Sequence, residues 1–169
     1  MRHLTRAGLL IMVLGAAACT NPGRFGAGGT GSGSEGTMVP GSAADPTSPA
    51  YFQQTVGDRV LFAVDQATLS AEARDILTKQ AAWLMDNPAY TAIIEGHADE
   101  QGTREYNLAL GARRASAVQN FLIEQGVAPN RLRTVSYGKE RPIAICSDES
   151  CYAQNRRAVT VLSAGGVTS

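Results

Sequence analysis

Between residues 59 and 162, short apolar runs alternate with two longer stretches in which apolar residues recur every three or four positions. Arg59 to Val64 (RVLFAV) predicts a strand. Ser70 is placed to cap a helix whose inward positions are Ala73, Ile76, Leu77, Ala81 and Leu84. Asn87-Pro88 ends it, because proline disfavours helical backbone at the residue before it. Tyr90 to Glu95 (YTAIIE) predicts the next strand. A second helix is expected from Thr103, with Leu108, Ala112, Ala115, Val118 and Leu122 facing the core and Gly126 closing it. Arg131 to Tyr137 alternates as a half-buried strand, a loop with two cysteines follows, and Ala158 to Leu162 supplies the last strand. The order βαβαββ predicts an α+β two-layer sandwich, with two main helices on one face of a mixed sheet.

The N-terminal residues break this alternation. Met1 to Arg6 is short and basic, and Ala7 to Ala18 is apolar but too short to span a bilayer. Small residues then lead to Cys19, so residues 1–18 resemble a bacterial lipoprotein signal, with Ala16 where leucine is usual. The competing reading is an ordinary signal peptide cleaved nearby. Lipidation of Cys19 would leave Cys146 and Cys151 to pair in an oxidising compartment. Thr20 in place of aspartate after that cysteine implies, on the same resemblance, sorting to the outer membrane. Residues 19–50 are rich in Gly, Ser, Thr, Pro and Ala and are expected to form a flexible tether, with the domain occupying 51–169.

Charge changes the picture by exclusion. The chain carries 15 basic and 15 acidic residues; loss of the signal removes Arg2 and Arg6, leaving 13 against 15, a net charge of −2. No basic excess exists to hold a nucleic-acid backbone.

The stretch from Glu95 to Arg114 concentrates the candidate chemistry. Asp99 and Arg114 offer opposite charges, suited to the ammonium and carboxylate of a free amino acid. On charge alone, an aspartate capping its own loop and a solvated arginine remain the simpler reading. His97 with Asp99 and Glu100 has too few ligands for a stable metal site, so His97 is expected to serve as a pocket or hydrogen-bonding residue. Cys146 and Cys151 suit a structural disulfide better than a redox or zinc motif. In Asn155-Arg156-Arg157 one arginine is expected to pair with a carboxylate such as Glu95 or Asp99, with Arg157 given the supporting role. No serine–histidine–aspartate set, phosphate loop or hydrolytic carboxylate pair stands out, so no enzyme and no cofactor are expected.

GHADEQGTREYN, LGARRASAV, SYGKERP and NRRAV, in that order, resemble the peptidoglycan-associated lipoproteins, within the wider family sharing the C-terminal domain of outer-membrane protein A. The resemblance covers about residues 60–162 and implies the OmpA-like fold. It further implies non-covalent binding of the meso-diaminopimelate stem of peptidoglycan, without cleavage. The residues matching Asp99 and Arg114 would grip the zwitterionic end. Asp65, Thr103, Glu105, Tyr106 and Asn107 would line the same pocket, with Val64 where many relatives carry phenylalanine. Implied partners are TolB and other Tol proteins of the Tol–Pal system, which serves envelope integrity and cell division. The outer membrane would be reached through the N-terminal lipid, with the domain facing the periplasm. On this reading Asp99→Ala and Arg114→Ala both fold normally and lose binding to the cell-wall sacculus. The rivals are a related domain of another envelope machine, and an envelope hydrolase using His97 and Asp99.

Overall fold

Alternating burial along β2 (Tyr90–His97) sets the architecture: Ala92, Ile94 and Gly96 point inward while Ile93 is partly exposed on the other face. A computed structural model of the chain describes residues 39–164. The expected signal segment 1–18, the lipidation candidate Cys19 and the residues following it up to 38 lie outside the described residues.

A four-stranded mixed sheet has the order β1-β4-β2-β3. The edge strand β1 (Arg59–Leu61) and β2 both run antiparallel to β4 (Arg157–Ala164), and β2 pairs in parallel with β3 (Leu132–Gly138). A parallel neighbour requires a crossover, which α3 (Arg104–Glu124) provides. The other long helix, α2 (Ala71–Asp86), joins β1 to β2. Leu77, Ala81 and Leu84 of α2 meet Ala115, Val118 and Leu122 of α3 over Val60, Ala92, Ile94, Leu132 and Ala158 of the sheet. Within this core Gln80 is fully buried, yet its amide donates to the Gly57 carbonyl (2.6 Å) and accepts from the Thr160 hydroxyl (2.7 Å). Satisfied polar groups of this kind avoid the desolvation cost of an orphan.

Local signals act where expected. Ser70 caps α2 by accepting from the Ala73 N–H, Thr103 caps α3 by accepting from the Tyr106 N–H, and Gly126 adopts φ +106° after α3. The inward face of α3 differs from the expectation over its first half. Leu108 is 48% exposed and Ala112 is also exposed; Asn107, Leu110, Gly111 and Arg114 take the buried positions. The reason is close packing: a side chain at Gly96 would overlap the Gly111 carbonyl, so glycine at both places lets α3 approach β2.

Two further corrections concern connections. The expected loop before the last strand contains a helix, α4 (Glu149–Asn155), capped by the Asp148 carboxylate, and Cys146 and Cys151 are joined by a disulfide across its start. The last residues of the stretch expected to be a tether, from Pro46 to Ala50, pack on the domain. Ser48 is buried and caps a short helix, α1 (Pro49–Tyr51), while Trp83 Nε1 donates to the Pro46 carbonyl at 2.7 Å. Phe52 packs against Trp83 with ring centres 4.9 Å apart and planes tilted by 56°, so the aromatic pair holds this segment against α2.

Candidate functional site

Two loops, 62–70 and 98–103, meet the first turns of α3 and enclose a cleft of about 340 Å³. Its lining includes Val64, Asp65, Asp99, Gly102, Tyr106 and Asn107. Buried polar side chains brace each wall. Asn107, 1% exposed, donates to the carbonyls of Asp99 (3.2 Å) and Gln101 (2.8 Å). The Asp99 carboxylate in turn accepts from the Gln101 N–H at 3.2 Å, an Asx turn that aims the side chain into the cleft. Asp65 has φ 57°, a left-handed conformation that aspartate tolerates, and its carboxylate accepts from the Tyr106 hydroxyl.

Arg114 has no exposed surface. Its Nε donates to the Gln66 carbonyl (2.8 Å), Nη1 to His97 (2.8 Å) and Nη2 to Ala63 (3.2 Å). The guanidinium therefore ties the 62–70 loop to the end of β2 and lies behind the cleft rather than in its lining. Burial pushes its pKa down to about 10, with the Asp99 charge opposing the fall, so it remains a cation at neutral pH.

The partner of Asp99 is Arg156, which sequence reasoning passed over in favour of Arg157. Arg156 Nη1 donates to Asp99 Oδ2 at 3.2 Å, and both side chains are nearly buried. The same guanidinium donates to Phe62 O and to both oxygens of Glu149. Arg157 instead donates to the carbonyls of Asn155 and Arg141. No local signal separates two adjacent arginines of equal charge, one ending α4 and the other opening β4.

Of the remaining expected residues, Thr103 and Glu105 are exposed at the start of α3 and lie outside the cleft lining. With Tyr106 N–H capped, the N–H groups of Arg104 and Glu105 are left at the positive end of α3, a position suited to an anion. His97 also lies outside the lining. It is 1% exposed, stacked 5.6 Å from Tyr137, with Nε2 3.6 Å from a Glu95 oxygen. Burial, followed by the charges of Arg157 and Arg141, lowers its pKa from 6.5 to about 4. The unfolded chain thus binds the proton first, so stability is full above pH 6.5 and declines as pH falls towards 4. The loss should approach about 3 kcal/mol. Thermal melts across that interval should show the slope, and His97→Gln should flatten it; an unchanged slope in that variant would exclude His97 as its source.

The OmpA family profile matches residues 61–156. The peptidoglycan-associated lipoprotein of Mesorhizobium japonicum is 54% identical over 131 residues, spanning 78% of this chain and 74% of the relative. That of Agrobacterium fabrum is 49% identical over 160 residues, spanning 94% and 87%. The crystal structure of the peptidoglycan-associated lipoprotein from Burkholderia pseudomallei superposes with a TM-score of 0.63 at 39% identity, covering 70% of this chain and 97% of that one. The C-terminal domain of Helicobacter pylori MotB, at 24% identity and a TM-score of 0.59 over 63% of this chain and 84% of that one, shares the fold alone.

Proposed function

Because this chain belongs to the OmpA family, among its peptidoglycan-associated lipoproteins, we propose that it binds peptidoglycan non-covalently through the meso-diaminopimelate stem. The observation that carries this reading is the carboxylate of Asp99, held in the cleft by the Gln101 N–H, beside the start of α3. An ammonium donates to Asp99, with Asp65 as the second carboxylate of the cleft. The neighbouring carboxylate is placed towards the positive end of α3. Arg114 uses three of its five N–H groups on carbonyls. Its part is to hold the two walls in register and to supply positive charge from behind them. Val64 gives one wall a smaller apolar surface than phenylalanine would.

The wider reading rests on the sequence resemblance. Cys19 carries the lipid, the anchor lies in the outer membrane, and the domain faces the periplasm, where it binds the wall without cleaving it. Its partners are TolB and the other Tol proteins, and the assembly supports envelope integrity and cell division.

Asp99→Asn tests the binding role: asparagine keeps an oxygen for the Gln101 N–H, while an uncharged NH2 replaces the oxygen that accepts from Arg156. Loss of one charge-assisted hydrogen bond should cost about 2 kcal/mol, roughly a thirtyfold weaker stem-peptide affinity. Calorimetry with the purified chain reads this directly. Equal affinity in the folded variant would remove Asp99 from the site, and fragments released from sacculi would replace binding by hydrolysis.

A further inference from the structure

Arg156 is shared between two carboxylates of unequal setting: Asp99, buried in the cleft wall, and Glu149, mostly exposed on α4. Toward Asp99 it offers one Nη1 contact at 3.2 Å, whereas toward Glu149 it presents both terminal nitrogens. Hydrogen bonding from Arg156 holds the Glu149 carboxyl below its usual range, so it is ionised at neutral pH. The three side chains therefore carry two negative charges and one positive. The fork-to-fork pairing places most of the compensation on Glu149.

We propose that Glu149, which lies outside the cleft, is a positioning and specificity-determining residue: by engaging Arg156 it leaves the Asp99 charge available to a ligand ammonium. The inference rests on the reading of Asp99 as the ammonium acceptor. Without Glu149, the Arg156 cation has one carboxylate left to neutralise, and it competes with the ligand for Asp99. The frame that holds Glu149 supports this role. It is the first residue of α4, it follows the capping Asp148, and it lies inside the ring closed by Cys146 and Cys151. The fixed backbone removes the cost of ordering the loop, although the Glu149 side chain still gives up its own rotamer freedom on pairing.

The role separates from a merely structural one by ligand choice. Two stem peptides are titrated into the purified full chain: one with the free ε-ammonium and carboxylate of its diaminopimelate, the other acetylated at that amine. Wild-type protein should prefer the free amine. Glu149→Gln should weaken free-amine binding about three- to fivefold, the range of an ion pair with one exposed partner, and leave the acetylated peptide unchanged. Glu149→Asp, which keeps the charge, should restore much of the preference, and Glu149→Lys should reduce it further. A wild-type preference that persists unchanged in Glu149→Gln overturns the inference alone. Wild-type protein with no preference for the free amine overturns the reading of Asp99, and the inference with it. Equal weakening of both peptides in Glu149→Gln reduces Glu149 to a structural role and also overturns the inference.

Discussion

Arg114→Ala is expected to lose about 4 kcal/mol of stability, together with its binding. The side chain is wholly buried and satisfies three carbonyls from two separate stretches, Ala63, Gln66 and His97. Truncation leaves those oxygens without a donor and opens a void beneath the cleft; each effect alone costs on the order of 1–3 kcal/mol. For a domain of this size the melting temperature should fall on the order of 15 °C. Arg114→Lys should recover part of the loss, because one ammonium cannot span three diverging acceptors. Arg114→Met fills much of the space without any donor and should remain close to alanine. The expectation from sequence, that Arg114→Ala folds normally, is thereby revised: a melting temperature within 2–3 °C of wild type would restore it and remove the stapling role.

Gly96→Ala should be comparably damaging, although it adds a single methyl group. Its Cβ would lie 2.6 Å from the carbonyl carbon of Gly111 and closer still to the oxygen, backbone atoms that no rotamer change can move. Gly111 faces the same problem in return, since its own Cβ would meet the Gly96 oxygen at 2.8 Å. Relief requires α3 to lift from β2, which disturbs Ala115 and the helix start that borders the cleft. Overpacking usually costs about 1–3 kcal/mol, and a backbone-on-backbone overlap belongs at the upper end. Denaturant melts should show a loss of about 3 kcal/mol. A variant as stable as wild type would mean that α3 moves freely on the sheet.

The two glycines also show where sequence reading fails. Caps and stops at Ser70, Pro88, Thr103 and Gly126 are legible because each acts on backbone within four residues of itself. The inward face of α3 is not legible by counting apolar residues. Its buried row carries Asn107, Gly111 and Arg114, whereas Leu108 and Ala112 lie one position round the helix and face solvent. A periodicity rule assigns leucine and alanine inward and cannot know that an arginine will find three carbonyls.

Of the residues that the resemblance singles out, Asp65, Asp99, Tyr106 and Asn107 line one cleft, whereas Thr103, Glu105 and Arg114 lie outside its lining. The opposite charges of Asp99 and Arg114 suggest a two-ended clamp, yet the loop carbonyls that surround Arg114 come from residues 48 and 51 positions away. Arg156 was hidden for a related reason: its contact with Asp99 joins residues 57 apart, and Arg157 beside it offers the same charge. α4 carried a signal that composition obscured. Asp148 followed by Glu149 is a helix start, but serines and cysteines around it read as loop.

The central claim is that the cleft between the two loops and α3 binds a diaminopimelate-bearing stem peptide. Its most direct test is an NMR titration of the ¹⁵N-labelled chain with that peptide, wild type against Asp99→Asn. The account predicts saturable shifts concentrated on the amides of 64–66, 99–107 and 110, weakened about thirtyfold in affinity by the substitution. Shifts that cluster on the open face of the sheet, or that titrate identically in Asp99→Asn, would contradict it.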